Sequence, residues 1–175
     1  MKKRVTAEEF ERMTDDESAL TELDEGVVVT EPFLSGRAGR YSCVVCVALA
    51  AHAKSRGLGE VYAAKTGFRP DSHTVHAPSI SFVRESQVVH SAGFIRSAPD
   101  LAVEFFEGDR EVRQLMRKVK QYFVAGTHTV WIVDPDRKEV QILESTGADR
   151  LLQGDDPIEA PELPGFSVPV SEFFE

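Results

Sequence analysis

One carboxylate in an otherwise apolar run is the strongest chemical signal in this chain. The stretch Ala98-Pro99-Asp100-Leu101-Ala102-Val103-Glu104-Phe105-Phe106 opens on a turn signal and continues as a short strand. Period-2 alternation puts Leu101, Val103 and Phe105 on one face and Ala102, Glu104 and Phe106 on the other. A buried, unpaired carboxylate costs several kcal/mol or takes up a proton, so Glu104 requires a partner, a metal ion or a water-filled cleft. Asp100 shares its strand face but stands about 13 Å away along an extended strand, too far to join Glu104 on one ion.

The next chemistry-bearing stretch follows Glu104. Asp109 is a fair N-cap for a helix that ends before Gly126. At 100° per residue, Val112, Leu115, Met116, Val119 and Phe123 form one apolar stripe, expected to pack on a sheet. Arg110, Arg113, Arg117 and Lys120 fall on a separate arc, readable as a phosphate-contacting surface or as a solvated face. Lys118 lies on the other flank beside Glu111 and Tyr122. From there it reaches over the sheet surface or snorkels along apolar side chains.

Other reactive residues carry less. His73 and His76 are three apart in a turn without a third ligand nearby and read as solvated. Cys43 and Cys46 sit inside an apolar helical pattern and read as small core side chains, not as a redox or zinc motif. The chain has no glycine-rich nucleotide loop, Ser-x-x-Lys or Gly-x-Ser-x-Gly element.

The elements that must position Glu104 and Lys118 come in a clear order. Thr6-Ala7-Glu8-Glu9 has the form of a capping box and opens a helix to about Met13, broken by Asp15 to Ser18. Leu20 to Leu23 and Gly26 to Thr30 form a hairpin around Asp24-Glu25-Gly26, and Pro32 to Gly36 a loop. A long helix over Gly36 to Arg56 has Tyr41, Val44, Val45, Ala48 and Leu49 on its apolar side and Gly57 just past its end. Strands follow at Glu60 to Lys65, around Gly67-Phe68-Arg69, and at Ser79 to Val83. A loop with a short helical piece spans Glu85 to Ala98. Beyond the second long helix, Thr129 to Val133 and Val140 to Leu143 are strands joined through Asp134-Pro135-Asp136-Arg137. The tail, with Pro157, Pro161, Pro164 and Pro169, is mostly extended or irregular, and Ser171 to Phe174 docks on the core. The whole is a mixed α/β (α+β) arrangement.

The 175 residues, 42% hydrophobic, suit one domain spanning residues 1–175, with 1–5 and parts of 157–175 irregular. No run approaches a membrane span and Met1-Lys2-Lys3-Arg4 opens no signal region, so a cytoplasmic protein with no membrane partner is expected. A net charge of −9 disfavours broad, non-specific nucleic-acid binding but leaves room for a local basic cleft.

An ordered set of motifs then points to one family. Glu22-Leu23 precedes Gly26 and an apolar strand. Arg56-Gly57-Leu58-Gly59-Glu60-Val61, Thr66-Gly67-Phe68-Arg69 and Ala77-Pro78 before Ile80-Ser81-Phe82-Val83 follow. Then come Ala98 to Glu104, Lys118-Val119-x-x-Tyr122-x-x-Ala125-Gly126, and Val130-Trp131-Ile132-Val133-Asp134-Pro135. From about Thr6 to Phe174 the chain resembles the Uma-type restriction endonuclease family.

The resemblance implies a PD-(D/E)XK fold, a mixed β-sheet flanked by helices. It also implies a site in which carboxylates hold Mg²⁺ or Mn²⁺ and a lysine positions the attacking water. Position by position, Glu22 matches the early glutamate, Glu104 the central one and Lys118 the lysine on the following helix. The motif aspartate after Ala-Pro falls on Ser79, and the histidine early in the second helix falls near Ala38. Serine is neutral and a poorer ligand, so an impaired nuclease is expected. The alternatives are an inactive DNA-binding or protein-interaction module, and a structural partner whose Phe166, Phe173 and Phe174 support a dimer. DNA is the expected partner, contacted through Arg113, Arg117 and Lys120, and a homodimer is the expected assembly.

Overall fold

Local sequence rules account for most elements of the computed structural model, which describes residues 4–13, 20–31, 33–90, 92–108 and 112–175. The capping box forms as written. The Thr6 N–H donates to Glu9 Oε2 at 2.9 Å and the Glu9 N–H to Thr6 Oγ1 at 3.2 Å, opening α1 (Ala7–Met13). The hairpin is β1 (Leu20–Asp24) and β2 (Val27–Glu31). Helix α2 (Gly36–Arg56) starts at Ser35, whose Oγ accepts the Ala38 N–H. It ends at Gly57, whose left-handed backbone (φ 61°) returns its N–H to the last carbonyls. Ser35 also hydrogen-bonds Glu107 through its N–H and hydroxyl, at 2.9 and 2.6 Å, tying the start of α2 to the end of the central strand.

A six-stranded sheet follows the order β3 (Gly59–Ala63), β4 (Ile80–Arg84), β5 (Leu101–Phe105), β6 (Thr129–Asp134), β7 (Glu139–Glu144), β8 (Asp149–Gln153). Only β5 and β6 pair in parallel, because helix α3 (Val112–Ala125) crosses over between them. The alternation read in β5 sets the layers. Leu101, Val103 and Phe105 face α2 and the C-terminal segment, with Trp131, Val133, Val140 and Ile142. Ala102 faces α3, with Val119, Tyr122, Val130, Ile132 and Leu143. β9 (Pro157–Glu159) and β10 (Ser167–Pro169) form a small hairpin beneath α2.

Four expectations change. Gly67-Phe68-Arg69 is no strand; Phe68 makes isolated bridges to His76 and Ile95. Asp149–Gln153 joins the sheet as an edge strand that its exposed, non-alternating side chains did not announce. Cys43 is exposed and Cys46 half-buried, since Tyr41, Val45 and Leu49 form the face of α2 turned to the sheet. Phe166, Phe173 and Phe174 lie in the core against Trp131 and Tyr41, so they present no apolar surface to a partner. The expected break at Asp15 to Ser18, the Pro32 position and the Asp109 cap lie outside the described residues, as do Arg110 and Glu111.

Candidate active site

Glu104 lies near the end of β5 on its α3-facing side and is 7% exposed. The fold supplies the partner that its burial demands. Lys118, 8% exposed, places Nζ 2.9 Å from Glu104 Oε1 and 2.8 Å from Glu22 Oε1, bridging two carboxylates from different sheets. Tyr122, one turn further along α3, donates its hydroxyl to Glu104 Oε1 at 2.7 Å.

That geometry requires α3 to turn away from its apolar stripe. Val112 and Met116 are 58% and 42% exposed, whereas Lys118, Val119 and Tyr122 are buried. The buried direction is rotated by about 70° from the centre of the stripe. Two buried carboxylates left without a cation would cost several kcal/mol, more than two partly exposed apolar side chains lose. The same rotation leaves Arg113, Arg117 and Lys120 exposed; Arg113 and Lys120 point about 150–170° away from the buried face. Arg117 pairs with Asp24 and Glu25 at the hairpin turn. The structure thus unites Glu22, Glu104 and Lys118 and keeps the basic stripe outside their site.

Glu22 is the most enclosed member, at 2% exposure. Its Oε1 accepts the Ala77 N–H at 2.7 Å in addition to Lys118, and its Oε2 faces His76 Nδ1 at 3.1 Å. His76 is therefore no solvated turn residue. It is 3% exposed, inclined against the Tyr122 ring, because the Leu23–Val75 bridge carries its segment under the hairpin. His73, by contrast, is exposed as expected. Asp24 Oδ1 can only accept, so Gln121 presents its Nε2 to it at 2.6 Å and its Oε1 to His76 Nε2 at 2.8 Å. Both ring nitrogens of His76 then face side-chain oxygens.

The electrostatics follow from this enclosure. Burial works against the charged form of Glu22. The Lys118 ammonium, and after it His76, outweigh burial and hold the carboxyl well below the usual range. Burial likewise opposes the charge on Lys118, but Glu104, then Glu22 and Glu31, keep it protonated far beyond the ordinary lysine range. Burial and then the Glu104 charge raise Tyr122 well above an ordinary tyrosine, so its phenol remains a donor.

Glu31 was missed in the sequence. Val29 lies directly across from Glu22, and Glu31 follows two residues on along the same hairpin face. Burial raises its carboxyl; Lys118 opposes this, while the Glu22 and Glu104 charges add to it. The one available signal was alternation along the hairpin from Glu22.

Ser79 lies beside Glu104. Ile80 pairs with Val103 and Ser81 with Ala102, so the residue before Ile80 comes level with Glu104, on the same face. Its Oγ accepts the Phe105 N–H at 3.4 Å. Asp100 belongs elsewhere: buried at the start of β5, it accepts from the Arg84 N–H and Nε at 2.8 and 2.6 Å, with His128 alongside.

As they stand, these donors do not fit a hard divalent ion. Mg²⁺ and Mn²⁺ need several unshared oxygen ligands. Here both oxygens of Glu22 and Oε1 of Glu104 are already engaged by protein donors. Position 79 offers a neutral hydroxyl. Among the described residues no cluster of three or more His, Cys, Asp and Glu has the arrangement of a metal site.

A mixed sheet flanked by helices on both faces is a restriction-endonuclease-like fold. Among solved structures, the chain is similar to a protein from Anabaena variabilis described as "a putative nuclease belonging to DUF820". The two share 18% identity over 97% of each chain, with a TM-score of 0.84. None of the curated proteins compared matches the chain. The model of the Uma2 family, described as "Putative restriction endonuclease", matches residues 7–171, and the chain belongs to that family. No helix among the described residues is long and apolar enough to cross a membrane.

Proposed function

We propose that this protein is a nuclease-type phosphodiesterase of the Uma2 family with impaired hydrolysis, acting on DNA, its site holding Mg²⁺ or Mn²⁺ weakly or not at all. The supporting observation is the hydroxyl of Ser79 level with Glu104, at the position of the motif aspartate. Glu22, Glu104 and Lys118 are kept, so the lysine can still orient a water or a phosphate oxygen beside Glu104. The lost carboxylate removes a negative charge and a ligand from the place where a divalent ion would activate that water. Cleavage of supercoiled plasmid in Mn²⁺ tests this. Little or no nicking by the wild type, a gain in Ser79→Asp, and loss of that gain in Ser79→Asp/Glu104→Ala are expected. Robust wild-type cleavage abolished by Glu104→Ala refutes impairment.

A second reading, a DNA-binding module without catalysis, also has an observation in its favour. Arg113 and Lys120 are exposed on α3 with no carboxylate partner among the described residues. Salt-dependent DNA binding with a slope reduced by about one per lysine or arginine removed would support it.

A further inference from the structure

We propose that Lys118 is the resident counter-ion of this centre, occupying the place between Glu22 and Glu104 and excluding a divalent cation from it. The inference rests on the reading of the site as a nuclease centre and concerns what controls metal access to it.

Glu22 is engaged at both oxygens: Oε1 receives the Ala77 N–H and Lys118, and Oε2 faces Nδ1 of His76. Glu104 Oε1 receives both Lys118 and the Tyr122 hydroxyl, leaving only Oε2 without a partner among the described residues. The ammonium lies 2.8 and 2.9 Å from the two oxygens an ion would have to bridge.

Charge leads to the same conclusion. The Lys118 ammonium already serves both Glu22 and Glu104, with half-buried Glu31 beside them. A divalent ion entering between Glu22 and Glu104 must displace Lys118 from both carboxylates into a buried position without a partner, which is costly. An aspartate at position 79 would give the centre a further negative charge and an unshared ligand. The serine and the lysine bridge are thus two halves of one arrangement: with the third carboxylate gone, the Lys118 ammonium spans the two that remain.

Mn²⁺ binding, followed by loss of the free-ion electron paramagnetic resonance signal, tests this without relying on cleavage. The wild type should bind no more Mn²⁺ than Glu104→Gln. Lys118→Met should bind at least about tenfold more tightly than the wild type, and Lys118→Met/Ser79→Asp more tightly than Ser79→Asp. Lys118→Gln, which keeps donors but no charge, makes the same test should the methionine variant not fold. Glu104-dependent Mn²⁺ binding by the wild type overturns the inference. So does tightening by Ser79→Asp alone, with neither Lys118 variant adding anything. Failure here leaves the impaired-nuclease reading intact if wild-type cleavage is still weak. Strong wild-type cleavage that needs Glu104 sinks that reading whatever Mn²⁺ binding shows.

Discussion

Replacing Lys118 with methionine keeps an unbranched side chain of similar reach and removes one charge. In the native protein that charge sits within 2.9 Å of two buried carboxylates, with half-buried Glu31 nearby. Breaking a buried ion pair by deleting one partner costs about 3–5 kcal/mol, because the remaining charge is left uncompensated. For a chain of this length each kcal/mol lowers Tm by about 2–4 °C, so a drop of about 6–20 °C is expected at neutral pH. The pH dependence separates this cause from a packing defect. In the wild type, the Glu22 carboxyl is held below its unfolded value. Its contribution is present above the unfolded value and is lost as pH falls through the lower folded one. In Lys118→Met the Glu22 carboxyl loses the strongest cation opposing its burial, so burial pushes it up. The variant therefore gains stability as pH falls from 7 towards 5, while the wild type still holds its own. Urea denaturation at both pH values should show the gap narrowing. A loss below about 1 kcal/mol, or a gap that widens on acidification, would refute the charge-bridge account.

Three further predictions follow from particular neighbours. His76→Ala strips the ring partner from Glu22 Oε2 and Gln121 Oε1 and should cost about 1–3 kcal/mol. His73→Ala, on the exposed turn, should stay within about 0.5 kcal/mol by the same urea titration. Gly59→Ala should destabilise strongly and lower soluble yield, since at φ 145° an added Cβ would lie 2.1 Å from the Val83 carbonyl oxygen. Iodoacetamide on the native protein, followed by mass spectrometry, should label exposed Cys43 first. Half-buried Cys46, whose thiol burial pushes up, should react more slowly.

What the sequence determined by itself is the local and periodic part of this protein. Thr6-x-x-Glu9 closes a capping box and Gly57 ends a helix because each needs only its immediate neighbours. Strict alternation in Leu101–Phe105 assigns Glu104 to one face whatever packs there. The ordered motifs along the chain carried the family and with it Glu22, Ser79 and Lys118. Tertiary structure decided what alternation and helical spacing cannot express. Helix α3 follows its lysine and tyrosine and leaves Val112 and Met116 exposed, since a buried carboxylate pair weighs more than a partial loss of apolar burial. His76 moves from an apparent turn into the site, and Glu31 joins it, through hairpin contacts made across long stretches of chain. The tail phenylalanines become core because β8 to β10 fold back beneath α2. The Lys118 bridge belongs to the same class, because an ion pair between two sheets exists only once strand, hairpin and helix meet.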